Sequence, residues 1–262
     1  MIDALRFEWV RLRTIRSTYW LVGLALFLNA AVAFLVNLAT RNNPPDTDIV
    51  GATVTGGGTA SPLPLLAVFM AAVGILATGH EYRYGTIQPT LTTIPRRATV
   101  LTAKLAVVAA TAVAVTVASM LVNVAVGLVF WGEFPGLTAQ PLDAALPGYV
   151  LLVVLWAVLG AALAQLFRSV PAALVVILVA PLVVEQTIFR LSLVPALDWL
   201  APMIKFLPFS AGLRLVDLSG TAALTDADNF DLFGRWAAGG VFTAFVAIAL
   251  TAAWTLFARR DA

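Results

Sequence analysis

Residues 79–104 read GHEYRYGTIQPTLTTIPRRATVLTAK and form a polar interval between two apolar runs. Within it, Gly85 and Thr86 supply a break and a candidate helix N-cap, and Pro95 precedes a pair of arginines. A connection that only reverses the chain direction does not need so many charged and turn-forming residues. We therefore expect a short helix that lies flat on the membrane between two spanning helices. Its polar face should be turned to the cytosol, where another protein can push on it.

The composition is that of an integral membrane protein. Hydrophobic residues make up 61% of the 262 residues and charged residues only 11%, well below the share found in soluble domains. The net charge of +2 would suggest nucleic acid in a soluble chain, but here the basic residues flank apolar runs, as in proteins that use them to orient helices in a bilayer. We therefore expect a lipid bilayer as partner and no nucleic acid. The absence of cysteine excludes a disulfide framework and a thiolate metal site.

Six apolar runs predict six transmembrane helices. Each is close to the roughly 20 residues that cross about 30 Å of hydrocarbon at 1.5 Å per residue. The runs are continuous instead of alternating, which favours helices over a barrel. The predicted fold is an all-α integral membrane protein, with residues 1–262 as one membrane domain. The predicted spans are residues 19–38, 62–79, 105–130, 148–167, 171–189 and 237–258.

The N-terminal segment, residues 1–17, is too charged to span a membrane. Apolar residues recur in it at helical spacing between four arginines, which predicts an amphipathic helix on the inner membrane surface. The alternative is a basic tail that only sets the topology. In either case the N-terminus is expected in the cytoplasm. Most Lys and Arg residues then fall in cytoplasmic segments, and an even number of spans returns the C-terminus to the same side.

The outer connections differ in kind. Residues 41–61 contain NNPPDTD and a glycine run, so we expect a mobile loop there. Residues 190–236 form a second outer loop, of which 191–218 stays apolar but is interrupted by three prolines. Short helices that lie in the outer interface, or dip into the membrane and return, fit this pattern. A loop with only a packing role is the alternative.

The motifs exclude several kinds of enzyme. His80 and Glu81 invite a zinc-protease interpretation, but that motif needs a second histidine and His80 is the only one. No GxSxG nucleophile elbow occurs. No Gly-Lys-Ser/Thr phosphate loop occurs either, so the glycines at 56–58 hold no phosphate. We expect no catalytic residue and no metal site, and any ATP must be bound by another chain.

Polar residues inside the spans are few, and two interpretations stay open. Small and hydroxylated residues are common at helix contacts, so they can serve packing alone. They can also line a substrate path at a subunit interface. The candidates are Asn29 in the first span, Thr116, Ser119 and Asn123 on one face of the third, and Thr243 and Thr251 in the sixth. Gly160 and Ala164 are expected to permit close helix contact in the fourth.

Glu185, beside Gln186, is the one acidic residue inside a predicted span. A charge at that depth is costly and needs a partner, for which Arg190 is the candidate. A structural pair is favoured over a proton relay, because the spans offer no second carboxylate.

The polar interval resembles the coupling-helix region of the type-2 ABC exporter permeases. The similarity rests on the order of Glu81-x-x-x-Gly85-Thr86, Thr90-Leu91, Pro95-Arg96-Arg97 and Lys104, within a six-helix topology that begins with an amphipathic elbow helix. The resemblance implies that residues 80–103 hold a coupling helix. The implied ATPase-coupling interface comprises Glu81, Arg83, Gly85, Thr86, Thr90, Leu91, Pro95, Arg96 and Arg97. Arg168 and Ser169 resemble the family's second, shorter cytoplasmic turn.

The resemblance also implies partners. The chain would pair with a second permease, usually an identical copy, and with two ATP-binding subunits that hold ATP and Mg, while it binds no cofactor itself. A multi-pass protein of a bacterial inner membrane is expected. The few fixed charges in the spans favour a hydrophobic or amphipathic cargo over a highly charged one, but nothing in the sequence selects among the cargo classes that such permeases export. Two other classes remain: a secondary transporter driven by an ion gradient, and a non-transporting anchor or sensor subunit.

Overall fold

The structure is a computed structural model that describes residues 2–83, 97–132, 134–218 and 232–259. Every regular element in these ranges is helical, and six of the helices are long and apolar enough to cross a membrane. The prediction of an all-α membrane protein with six spans is confirmed. The first three helices are α1 (Ile2–Thr14), α2 (Arg16–Ala39) and α3 (Thr47–Val54), followed by α4 (Leu65–Arg83), α5 (Arg97–Trp131), α6 (Leu142–Phe167), α7 (Val170–Val179), α8 (Gln186–Ser192), α9 (Pro208–Leu213) and α10 (Arg235–Arg259).

Helix α6 forms the centre of the bundle. It packs most extensively against α4 and also contacts α5, α7 and α10. Two glycines allow the close approach of α4 and α6: a Cβ on Gly74 would lie 2.0 Å from the Ala157 carbonyl oxygen, and one on Gly160 would lie 2.2 Å from that of Ala71. The expected role of Gly160 in helix contact is confirmed. Because the two backbones almost touch, the α4–α6 pair forms the most tightly packed part of the described fold.

Helix α1 presents one buried stripe to the bundle. Ala4, Glu8 and Leu12 recur every four residues and are buried, and α1 packs against α5 and α2. Its other faces expose Phe7 and Trp9 among arginines. The predicted N-terminal helix is therefore present, and its location on a membrane surface stays a prediction.

The segment expected to be a mobile loop contains a buried helix, so that expectation is wrong. Asp46 caps α3 by accepting a hydrogen bond from the Ile49 amide at 2.8 Å, and Val50, Thr53 and Val54 are buried. At the other end of α3, the amide of Gly57 donates to Ala52, and Gly56 takes a left-handed conformation with φ +59°. Loop composition thus marks the two ends of this helix, not its interior.

Helix α3 enters the bundle from the end opposite α1, and we call it the re-entrant helix. The carbonyl of Thr55 lies 3.5 Å from the Asn29 amide nitrogen. Asn29 lies ten residues before the end of α2, about 15 Å along the axis at 1.5 Å per residue. Non-helical backbone at this depth is tolerated only where protein surrounds it.

The fifth span is interrupted between α7 and α8. Ala180–Glu185 is π-helical, and Pro181 in that stretch has no amide hydrogen for a regular helical bond. Glu185, at its end, is buried and accepts hydrogen bonds from the amides of Phe209 and Ser210 and from the Ser210 hydroxyl, all at 2.7 Å. The expected partner Arg190 is exposed instead. The carboxylate therefore caps α9, because the amides at a helix start have no partner within the helix.

The proline-rich connection before α10 folds into short helices, as predicted. Pro195–Phe206 and Arg214–Val216 are 3₁₀-helical and flank α9. A Cβ on Gly148 would lie 2.1 Å from the Leu215 carbonyl oxygen, so this connection is pressed onto α6. The remainder of the predicted outer loop, residues 219–231, lies outside the described residues.

Candidate functional site

The structure describes the two ends of the predicted coupling segment but not its middle. Helix α4 ends at Arg83, and α5 begins at Arg97. The predicted interface residues Gly85, Thr86, Thr90, Leu91, Pro95 and Arg96 lie outside the described residues. The geometry of the site therefore comes from the last turns of α4 and the first turns of α5, together with the elements packed on them.

Glu81 lies at the centre of a buried ion-pair cluster. Its two carboxylate oxygens pair with Arg11 of α1 and Lys104 of α5, one cation each. Glu8 adds a second acid, 3.6 Å from Arg11 and 4.0 Å from Lys104. We call Glu8, Arg11, Glu81 and Lys104 the basal cluster. When all four groups are charged, two acids and two bases make it neutral overall.

Because it is buried, the basal cluster holds α1, α4 and α5 together. Only 2% of Glu81 and 3% of Lys104 are exposed. A buried charge that loses its partner costs several kcal/mol, so separating Glu81 from Lys104 would strongly destabilise the protein. Glu81 is thus buried within the chain itself, where it links the end of α4 to α1 and α5.

Glu8 is the less well stabilised of the two acids in the basal cluster. Burial raises the pKa of its carboxyl group above the ordinary value of 4.5, while Lys104 lowers it and the nearby Glu81 raises it. One Glu8 oxygen, Oε1, is buried without a hydrogen-bond partner. The cluster therefore holds Glu81 more favourably than it holds Glu8.

A second set of contacts joins the base of the 84–96 connection to the turn between α6 and α7. The Gln165 amide donates to the Tyr82 hydroxyl at 2.6 Å, and the Arg168 guanidinium lies 5.4 Å from the centre of the Tyr82 ring. Arg168 ends α6 with φ +51°, and Ser169 caps α7 by accepting from the Ala172 amide at 3.4 Å. Tyr82 thus brings together the two stretches that the sequence predicts on the cytoplasmic side.

The predicted intramembrane residues Asn29, Ser119 and Asn123 form one buried network. Asn29 Oδ1 accepts hydrogen bonds at 2.8 Å from the Ser119 hydroxyl and from the Asn123 amide, which also donates to the Val54 carbonyl at 3.0 Å. Nearby, the Asn37 amide donates to the Thr53 hydroxyl at 2.9 Å. These polar groups fasten the re-entrant helix to α2 and α5.

The remaining candidates do not join this network. Thr116 is buried, and its hydroxyl donates to Ala112 of its own helix. Thr243 and Thr251 lie on an exposed face of α10 and donate to Gly239 and Ala247. Hydroxyls satisfied in this way are compatible with a helix surface that a second chain or lipid covers.

Sequence reasoning missed the partners Glu8 and Arg11 and the depth of the re-entrant helix. A signal for each was present. In α1, Glu8 interrupts an otherwise apolar stripe whose members are four residues apart. In α2, Asn29 and Asn37 alternate with Ala25 and Ala33 at the same spacing. A polar residue on a stripe of small, buried residues indicates a specific partner, although it does not name that partner.

Comparison with known families gives a match. A family model described as "ABC-2 family transporter protein" covers residues 4–195. No curated protein matches the chain significantly.

Proposed function

The chain belongs to the ABC-2 family of transporter proteins, and from this premise we propose that it is the permease of an ATP-driven exporter that receives its power stroke through residues 84–96. It is a multi-pass membrane subunit of an ABC transporter, whose family implies an ATP-binding partner. Membership of a transporter family disfavours the anchor or sensor interpretation.

The basal cluster is the observation that carries the proposal. A push on the 84–96 connection acts on the ends of α4 and α5, and the buried pairs of Glu81 with Arg11 and Lys104 link those ends to α1. Rigid helices that share buried charges move together, since separating them would leave a charge unpaired. Through Tyr82 the same movement reaches α6 and α7. Glu81 is accordingly proposed as a positioning residue behind the docking surface.

In this proposal the predicted coupling residues of the 84–96 connection and its edge supply the contact itself. Gly85, Thr86 and Thr90 would shape the docking helix, and Arg96 with Arg97 would form its basic edge. Arg168 and Ser169 would stand beside it as a second contact.

The assembly proposed is two permeases with two ATP-binding subunits, which bind ATP and Mg. Within this chain only 22% of the membrane-spanning stretch of α2, and of that of α10, is buried, so both helices leave a surface that a bilayer or an identical second copy can cover. We propose that both termini lie in the cytoplasm, which the distribution of basic residues favours. The membrane is proposed to be a bacterial inner membrane, as the family resemblance implies. Cargo is moved outward only if its affinity differs between the inward and outward states.

The test is ATP hydrolysis by the purified complex, with the permease co-expressed with its cognate ABC-type ATPase. The variants are Glu81→Gln, which breaks the basal cluster, and Gly85→Pro, which alters the docking segment. Asp143→Asn is the matched control, because Asp143 is an exposed acid at the opposite end of the bundle. We expect Gly85→Pro to lower the amount of bound ATPase. Glu81→Gln should keep the complex but lower permease-dependent stimulation at least about fivefold, a coupling loss within the usual range.

Each outcome discriminates. If the wild-type permease captures no ATPase, the ABC permease proposal fails and a gradient-driven transporter becomes the working hypothesis. If the ATPase binds but Glu81→Gln and Asp143→Asn stimulate hydrolysis equally, the basal cluster has no role in coupling.

A further inference from the structure

A cavity of about 230 Å³ opens at the end of the bundle opposite α1. The turn after the re-entrant helix forms one wall, and the connection before α10 forms the other. The residues with polar side chains that line it are Thr59, Ser61, Gln186, Ser210, Arg214 and Asp217. It is large enough for a phosphate or carboxylate group with part of an attached chain.

Arg214 is the cation of this cavity. Two of its three guanidinium nitrogens, Nε and Nη1, are buried, and they have no hydrogen-bond partner in the described part of the chain. The backbone around it is held in place, because Leu215 is fully buried against Gly148. Burying guanidinium donors without acceptors is costly, so a rotation of the guanidinium toward an acceptor in the cavity that Arg214 lines would relieve that cost.

The neighbouring polar groups leave Arg214 as the main donor. The Ser210 hydroxyl already donates to Glu185, and the Ser61 hydroxyl donates to the Leu63 carbonyl. Gln186 makes no side-chain hydrogen bond among the described residues and adds a free amide donor. Asp217 also lines the cavity, and its charge opposes the entry of a multiply charged anion.

We propose that this cavity binds a single phosphate or carboxylate group, held by Arg214 with help from the Gln186 amide. An arginine provides several donors in a planar fork that matches such oxygens. The apolar wall formed by Leu213 and Val216 can accommodate an attached hydrocarbon chain. Binding at this site does not rest on the proposed function, since it needs neither an ATPase nor transport.

The experiment is a phosphorus NMR titration of the full-length protein purified in dodecyl maltoside. Dodecyl phosphate is the amphipathic probe and inorganic phosphate is the soluble one, with protein-free micelles as the baseline. We expect wild-type protein to broaden the dodecyl phosphate signal in a saturable manner. Losing a charge-assisted hydrogen bond should weaken binding about tenfold or more in Arg214→Gln. Arg214→Lys keeps the charge and should recover part of the affinity.

The control is Arg190→Gln, which removes an exposed cation outside the cavity. Ala60→Trp keeps Arg214 but fills the cavity, which Ala60 lines, so it should abolish binding even if Arg214→Gln does not fold. Competition by inorganic phosphate would assign the site to a free anion, and its failure to compete would assign it to an anionic amphiphile. Equal binding by wild type, Arg214→Gln and Ala60→Trp would overturn the proposal, as would equal loss in Arg190→Gln.

Discussion

At the scale of single residues, the two buried acids of the basal cluster differ in how well their charges are paired. Glu81 is matched by two cations, whereas Glu8 keeps longer contacts and one oxygen without a hydrogen bond. Because of its burial, the pKa of Glu8 is raised above 4.5. The folded protein therefore holds the Glu8 proton up to a higher pH than the unfolded chain does.

This difference predicts a pH effect on stability. The contribution from protonated Glu8 is complete below about pH 4.5 and is lost as pH rises through the raised pKa. Glu8→Gln removes the titration, so we expect its Tm in detergent to gain on the wild type as pH rises from acidic to neutral. Tryptophan fluorescence during heating measures the Tm of the wild type and of Glu8→Gln at each pH. Asp3→Asn, an exposed change on the same helix, should follow the wild type, and parallel curves for Glu8→Gln would contradict the prediction.

At the scale of elements, the re-entrant helix depends on a turn that only glycine fits. A Cβ on Gly56 would lie 2.2 Å from Asn29 Oδ1, and φ at Gly56 is +59°. The same oxygen accepts from Ser119 and Asn123. The left-handed turn at Gly56 and the polar network around Asn29 therefore meet at one place, about 15 Å inside the bundle.

Gly56→Ala tests this point, with Gly132→Ala as its matched control. Gly132 also has a positive φ, +72°, but a Cβ there meets nothing within 4 Å. The control should lose only the backbone preference, about 1 kcal/mol. Gly56→Ala should lose about 3 kcal/mol or more, because the Asn29 network must open as well. Equal losses in thermal or chemical unfolding would show that the network does not hold the turn.

At the scale of the whole molecule, the six spans leave α1 at one end of the bundle and the re-entrant helix at the other. The basic residues favour the α1 end for the cytoplasm. The proposed coupling segment and the anion cavity then lie on opposite sides of the membrane.

The absence of cysteine makes this orientation directly testable. Asp3→Cys marks the α1 end and Asp48→Cys the opposite end, and both positions are exposed. We expect a membrane-impermeant maleimide to label Asp48→Cys in intact cells, and Asp3→Cys only after permeabilisation. The reverse pattern would invert the topology and remove the 84–96 segment from the reach of a cytoplasmic ATPase.

The sequence by itself determined the number and nature of the spans, because the cost of placing a side chain in hydrocarbon depends on that residue and its near neighbours. It also determined the helical N-terminal segment, the break-up of residues 191–218 by proline, and the resemblance around Glu81. Each of these rests on spacing within one stretch of chain.

Only the tertiary structure decided which polar groups meet. Arg11 and Glu81 are 70 residues apart, and Asn29 and Asn123 are 94 apart. Glu185 capping α9 instead of pairing with Arg190, and the buried helix inside a loop-like segment, have the same origin. A buried donor or acceptor must find a partner somewhere in the fold. Its identity is set by how the helices pack, which no local pattern encodes.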